Sequence, residues 1–134
     1  MSPFAKYLRT LRLSRGYKQK ELAYHLGYEA SYLSALERSD KGPPRQDFIQ
    51  RLIRGLDLDE DEQAELAQTL KASRRRFSLP ARASEQEYAL LHQLEPQLGR
   101  LHPLQLQMIQ MALQMPEMCS AGNGCVLPVA SVHN

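Results

Sequence analysis

Side chains able to do covalent or metal chemistry are scattered along this sequence, and none occurs at a spacing that builds a reaction centre. The four histidines are too far apart in the chain to suggest a ligand set: they are His25, His92, His102 and His133. The two cysteines fit no usual zinc spacing, and we expect free thiols at Cys119 and Cys125. The sequence also contains no glycine-rich phosphate loop and no nucleophile elbow. It therefore predicts a protein that is not an enzyme and that holds no metal and no cofactor.

Basic side chains offer a different chemistry, the binding of a polyanion. Residues 1–58 carry eleven Lys and Arg against six Asp and Glu, a net charge of +5, whereas residues 59–134 have a net charge of −3. A basic segment joined to an acidic one is typical of a polyanion-binding module attached to something else. Ordinary variation in charge explains the division as well.

Helices are the elements predicted to position these charges, since apolar residues recur at helical spacing and no stretch sustains the alternation of a strand. Five helices are predicted before residue 77: about 3–15, 19–26, 30–38, one that follows Pro43-Pro44, and one capped by Asp59 with Glu62. The fourth has the clearest apolar stripe, Phe48, Ile49, Leu52, Ile53 and Leu56. Five apolar faces in so few residues predict an all-α fold, a compact helical bundle.

The stretch from Gln19 to Arg38 meets the steric requirements of two short helices that cross closely. The first helix needs a small residue where the second passes over it, and Ala23 is there. The turn needs a residue that tolerates a positive φ, which Gly27 supplies. The second helix needs an apolar residue that faces back into the angle, and Leu33 is in that place. Supporting core positions are filled by Leu22, Leu26 and Leu36.

These residues resemble the phage repressor/Cro type of helix-turn-helix proteins, also called the xenobiotic-response-element family. The resemblance covers about residues 4–58 and includes the stretches LRTLRLSRGYKQKELA and SYLSALER, followed by Pro43. It implies a lambda-repressor-like fold that binds double-stranded DNA, with the second helix of the pair in the major groove and the first across the backbone. The implied protein is a transcriptional regulator.

The resemblance also implies a set of DNA-contacting residues. The positions that read bases are Glu29, Ala30, Ser31, Ser34 and Ala35. Helical geometry independently places 30, 31, 34 and 35 on one face, opposite Leu33 and Leu36. The positions that contact phosphates are Lys18, Gln19, Tyr32, Arg38, Lys41 and Arg45. Tyr32 lies at the boundary of the face, where it either packs or touches a phosphate.

Two residues depart from the family pattern, and the reading face is short. Glu29 stands where Ser or Thr commonly caps the recognition helix. Its carboxylate either stabilises the helix dipole or faces DNA, where it is repulsive or meets a cytosine amino group. Ser39 replaces the glycine that usually follows this helix. Alanine and serine side chains make no bidentate base contacts, so we expect thymine-methyl contacts, serine hydroxyls and DNA shape to supply specificity.

The second half of the chain is predicted to serve association. We assign residues 1–76 to the DNA-binding domain, 77–83 to a linker, 84–115 to a helical dimerisation region and 116–134 to a flexible tail. The alternative for the tail is that its apolar stretch 126–132 docks on the rest of the protein. The last helix, from Pro103 to about Met115, has an apolar arc wider than a one-sided surface helix needs. The predicted dimer interface is Leu104, Met108, Ile109, Met111, Ala112 and Met115. Helices of the same chain, or a small ligand or peptide in a methionine-lined pocket, are the alternatives.

The sequence as a whole therefore predicts a dimeric regulator that binds a (pseudo)palindromic operator. The alternative is an antitoxin-like module that neutralises a protein partner through residues 59–134 and represses its own promoter. The first residues lack the apolar core of a signal peptide, and no stretch is long enough for a membrane span. We therefore expect a cytoplasmic, nucleoid-associated protein.

Overall fold

The computed structural model describes residues 1–115, whose regular structure is entirely helical. Seven α-helices follow one another in this part of the chain: α1 Pro3–Ser14, α2 Gln19–Leu26, α3 Ala30–Glu37, α4 Gln46–Gly55, α5 Glu60–Ala72, α6 Glu85–Leu94 and α7 Pro103–Leu113. A short 3₁₀ helix, Glu95–Gln97, separates α6 from α7. The predicted all-α class is confirmed.

The chain divides into two compact units, residues 1–78 and residues from 79 onward. Our functional assignments of the linker and of a dimerisation region stay predictions. The expectations for the tail 116–134, including free Cys119 and Cys125, lie outside the described residues. Among the helices of residues 1–115, none is long and apolar enough to cross a bilayer.

Local signals in the sequence explain where the helices of the first unit begin and end. Ser2 caps α1 by accepting the Ala5 N–H, and Pro3 occupies the first turn. Asp59 and Glu62 form the predicted capping box of α5. Gly16 follows α1 with a φ of +75°, a conformation in which glycine avoids the steric cost of a side chain.

The first unit encloses one apolar core to which all five of its helices contribute. The stripe residues predicted from the sequence are buried there, except Ile53, which is half-buried at the edge. Leu58 and Leu66 join this core, although the sequence analysis did not single them out. The core residues are Phe4, Leu8, Leu11, Leu22, Ala23, Leu26, Leu33, Leu36, Phe48, Ile49, Leu52, Leu56, Leu58 and Leu66.

Polar contacts join α5 to α1 beside this core. The Arg15 guanidinium donates to both carboxylate oxygens of Glu62, at 2.7 and 2.9 Å. The Tyr7 hydroxyl donates to the Glu62 carbonyl at 3.3 Å. Further along α5, the buried Phe4 N–H donates to Ser73 Oγ at 2.8 Å. The fifth helix is therefore an integral part of the bundle.

The described part of the second unit, residues 79–115, contains two α-helices and little interior. Ser84 and Glu87 form a capping box at the start of α6, and the helix ends at Leu94, next to the 3₁₀ turn that contains Pro96. His102 caps α7, and Pro103 occupies its first position as predicted. Between residues 79 and 115 the structure contains no buried residue. The apolar side chains of this unit therefore lie largely in contact with solvent.

The Arg15–Glu62 contact predicts an acid-sensitive contribution to stability. The Arg15 guanidinium, followed by the Asp59 N–H, lowers the pKa of Glu62 to about 2. Because the folded pKa lies below the ordinary value of 4.5, the stabilisation is present in full above that value and disappears as the pH falls toward 2. We expect Glu62→Gln to melt at a lower temperature than the wild type at pH 7, and this difference to shrink between pH 4.5 and pH 2.

Thermal melts followed by circular dichroism over this pH range measure the effect. Glu65→Gln is the matched control, because Glu65 is an exposed carboxylate on the same helix. A melting difference for Glu62→Gln that stays constant from pH 7 to pH 2 would contradict the assignment.

Candidate nucleic-acid interface

The turn between α2 and α3 sets the angle of the two helices. Gly27 ends α2 in the left-handed conformation, with a φ of +83°, and the Tyr28 N–H returns to the Ala23 carbonyl at 2.8 Å. Ala23 and Leu33 are both fully buried, so the second helix crosses closely over the first. The small residue, the glycine and the inward leucine therefore have the places that a helix-turn-helix requires.

A buried ion pair joins this helix pair to α1. The guanidinium of Arg12 donates from Nε and Nη2 to the two carboxylate oxygens of Glu37, at 2.7 and 3.0 Å, and both side chains are at most 10% exposed. The third donor, Nη1, bonds the Tyr17 carbonyl at 3.0 Å. Gln19 donates its amide to Glu37 Oε1 at 3.0 Å. The end of the recognition helix is therefore tied to both α1 and the start of α2.

The predicted base-reading residues are exposed to different degrees. Glu29 and Ser31 are exposed, whereas Ala30, Ser34 and Ala35 are half-buried, and Ala30 also packs against the core. Glu29 is the N-terminal cap residue of α3, yet its side chain makes no capping hydrogen bond. No hydrogen bond therefore holds its carboxylate at the start of α3. The reading face is as short in the structure as the sequence indicates.

Arg38 is held against the recognition helix by its own neighbours. Its guanidinium donates to Ser34 Oγ and, at 2.8 Å, to the carboxylate of Asp40. Both members of the Arg38–Asp40 pair are about 60% exposed. Because Ser34 accepts from Arg38 through its oxygen, its hydroxyl proton is still available as a donor. The sequence analysis named Ser34 and Arg38 separately and missed that they form one unit.

Tyr32 packs against other aromatic rings, which is the first of the two alternatives that its position at the boundary of the face left open. Its ring centroid lies 5.2 Å from that of Tyr28 and 5.7 Å from that of Phe48, and the ammonium of Lys41 lies 6.0 Å from it. Burial, together with the nearby Tyr28, raises the pKa of Tyr32, so its phenol is protonated at neutral pH. The Tyr32 ring therefore lines the candidate site, and its hydroxyl can donate a hydrogen bond there.

Three of the remaining predicted phosphate contacts lie at the starts of two helices, whereas Lys41 is exposed between α3 and α4. Lys18 is exposed before α2, and its N–H donates to the Glu21 carboxylate at 2.7 Å, so an acidic group already occupies part of that helix terminus. Arg45 is the exposed residue that precedes α4, and it lines a shallow groove together with Glu29 and Tyr32. The structure thus brings the groups at 29, 32 and 45 together.

The predicted dimer residues lie on α7 and just beyond it, and all are exposed. Met108 and Ile109 line a groove of about 370 Å³ within the second unit, which also takes Leu90 and Leu94 from α6. Gln105 lies in the same groove, beside Gln93 and Gln97. Two of the six predicted interface residues therefore face α6 of their own chain, as the same-chain alternative requires, and all six stay predictions.

Sequence reasoning missed Arg12 and Glu37. Both had a usable signal: Arg12 follows Leu8 by one helical turn on the apolar side of α1, and Glu37 follows Leu33 in the same way on α3. A charge at the core position of an amphipathic helix requires a partner of opposite charge. Two such charges of opposite sign in one small bundle would have predicted the pair.

The buried pair predicts a large loss of stability when its acid is neutralised. Glu37→Gln leaves the guanidinium of Arg12 buried without a countercharge, and we expect a loss of about 3–5 kcal/mol in the free energy of unfolding. Asp40→Asn is the matched control, because it breaks the exposed pair with Arg38, which contributes at most about 1 kcal/mol. Urea denaturation followed by circular dichroism measures both, and equal losses for the two variants would contradict the role given to Glu37.

Comparison with known proteins agrees with this geometry. Residues 3–66 match a protein family described as a helix-turn-helix domain. The matched segment covers α1 to α4 and the first half of α5. Neither the curated proteins nor the solved structures compared with the chain gave a match. Residues 3–66 therefore form a helix-turn-helix domain, in agreement with the repressor/Cro type that the sequence resembles.

Proposed function

We propose that this protein is a transcriptional regulator that binds a specific double-stranded DNA site as a dimer. The observation that carries the proposal is the set of buried polar contacts that hold α3 in place. Its end is tied through Glu37 to α1 and to Gln19, while Ser31 and the surface around Ala35 stay accessible. A helix so held presents one constant face, which is what readout in the major groove requires.

Cations around this face would supply most of the affinity. Lys18, Lys41 and Arg45 are exposed around the helix pair, and phosphate contacts from such groups release counterions from DNA. Gln19 would contribute the N–H that does not bond Glu37, together with the start of α2. These contacts fix the register of the protein on the duplex and carry no sequence information themselves.

Sequence preference would come from few and small contacts. Ala30 and Ala35 suit thymine methyl groups, and the hydroxyls of Ser31 and Ser34 suit base-edge acceptors. Arg38, held by Ser34 and Asp40, would lie along the same face. Because none of the short side chains makes a bidentate base contact, we expect the deformability of the DNA site to contribute to the preference.

The second unit supports the proposal of a dimer. Its described part, residues 79–115, buries no side chain and exposes Leu104, Met108 and Met111 on α7. A segment of this size rarely folds by its own core, so its apolar surface requires a partner. A second copy is the partner that also gives a two-fold arrangement of recognition helices. The same surface suits a protein partner of another kind, as in the antitoxin-like alternative.

Single substitutions of the outer cations test DNA binding. After selection of sites from a genomic fragment library, we expect Lys41→Ala and Arg45→Ala each to weaken binding on every site and to reduce the salt slope of log K by about 0.9. Arg54→Ala is the matched control, since Arg54 lies in the last turn of α4, about 13 Å from Arg45 along that helix. A wild type with a salt slope near zero, or with no enriched site, would refute the regulator proposal.

The oligomeric state tests the role of the second unit. We expect the full chain to sediment as a dimer and a chain truncated after residue 80 to sediment as a monomer. Met111→Lys places a charge in the proposed interface and should shift the full chain toward monomer. Gln110→Lys should not, because Gln110 shares with Gln107 and Gln114 the polar side of α7. A truncated chain that remains a dimer would assign the interface to residues 1–80. A monomeric full chain would leave the protein partner as the better explanation of the exposed surface.

A further inference from the structure

The turn that ends the recognition helix is made without a glycine. Ser39 follows α3 with a φ of +63°, in the left-handed region that favours glycine. The Ser39 N–H bonds the Leu36 carbonyl at 3.2 Å, and the Asp40 N–H returns to the Ala35 carbonyl at 3.0 Å. This is a helix-ending arrangement of the usual type, occupied by a residue that needs outside support to adopt it.

Two segments from elsewhere in the first unit give that support. The Ser2 N–H donates to Ser39 Oγ at 2.8 Å. The guanidinium of Arg75 donates from Nη2 to the Ser39 carbonyl, and the same nitrogen lies 3.5 Å from the Lys41 carbonyl. The turn of residues 39–41, which we call the α3 exit turn, is therefore held from both ends of the domain.

The segment that carries Arg75 is itself anchored. Ser73, the residue that ends α5, is buried, accepts the Phe4 N–H at 2.8 Å and donates to the Thr69 carbonyl at 2.6 Å. Arg75 lies only two residues after Ser73, so the hydrogen bonds of Ser73 fix the backbone from which the Arg75 side chain extends to the α3 exit turn. Its neighbour Arg74 lies 4.9 Å from the Phe77 ring instead. The basic residues that follow α5 therefore differ in their contacts: Arg75 reaches the α3 exit turn, whereas Arg74 lies against an aromatic ring.

Chemistry explains why an arginine suits this place. The carbonyls of residues 39 and 41 lie just past the C-terminal end of α3, where the helix dipole is negative and a cation is stabilised. A guanidinium has several N–H donors in one plane and no acceptor, so it suits a pair of carbonyl oxygens. The charged neighbours of this site are Arg38, Asp40 and Lys41.

We infer that Arg75 is a positioning residue that fixes the α3 exit turn and, through it, the placement of Lys41 on the DNA-facing side. Residues 67–78 lie beyond the segment matched to the helix-turn-helix family, yet through Ser73 and Arg75 they complete the DNA-binding domain. The effect on DNA binding rests on the function proposed above, whereas the effect on the α3 exit turn does not.

Amide hydrogen exchange of the full chain without DNA tests the contact itself. Loss of one hydrogen bond should raise local opening about fivefold, so we expect Arg75→Ala to speed exchange of the hydrogen-bonded Ser39 and Asp40 amides by about that factor. Exchange of core amides in α4 should not change. Arg76→Ala is the matched control, because it removes the same charge one residue away and should leave the α3 exit turn unchanged. Unchanged exchange at the amides of 39 and 40 in Arg75→Ala, or equal acceleration in the core, would overturn the inference.

DNA affinity on the selected site then tests the consequence. We expect Arg75→Ala to weaken binding about fivefold, and Arg76→Ala to weaken it much less. Equal weakening by the two variants would show an effect of charge alone and would overturn the positioning role. If the wild type binds no DNA, the proposed function fails, while the exchange experiment still decides whether Arg75 holds the turn.

Discussion

The ion pair between Arg12 and Glu37 is the interaction on which the arrangement of the three N-terminal helices depends. It is nearly excluded from water, so each charge needs the other in one geometry, and any repacking that separates them leaves a buried charge without a partner. An apolar contact tolerates sliding, but a bidentate contact with a third bond from Gln19 does not. The pair therefore specifies where α3 ends relative to α1 and α2.

A fixed helix would matter for the DNA binding proposed above, because the face predicted to read bases has little chemistry of its own. Alanine and serine side chains reach only a short distance from the backbone, so small shifts of α3 would remove their contacts. The surrounding contacts limit such shifts: Tyr32 packs against Phe48 behind the face, Arg38 bonds Ser34 beside it, and Ser39 is held at its end. In the proposed complex, accurate placement of α3 would compensate for the absence of long polar side chains.

The two units differ in how they are stabilised. The first has a continuous core to which five helices contribute, with polar links between α1 and α5. The described part of the second has capping boxes and proline positions that specify its helices, yet it buries none of its residues. Local signals suffice to start and end a helix, whereas burial requires a surface to pack against. The exposed leucines and methionines of α7 are therefore the natural place for a partner.

Much of this protein is determined by the sequence alone. Helix starts at Pro3 and Asp59, the turn at Gly27 and the apolar stripes depend on neighbours a few residues apart, so spacing was enough to predict them and the helix-turn-helix they build. Tertiary structure alone decided that Arg15 meets Glu62 and that Arg75 meets the carbonyl of Ser39, and it alone fixed the bidentate geometry of the pair between Arg12 and Glu37. These partners are separated by 25 to 47 residues along the chain. The physical reason is that two charges so far apart in the chain come into contact only after the apolar faces have packed, and the spacing of neighbouring residues does not encode which distant groups will meet.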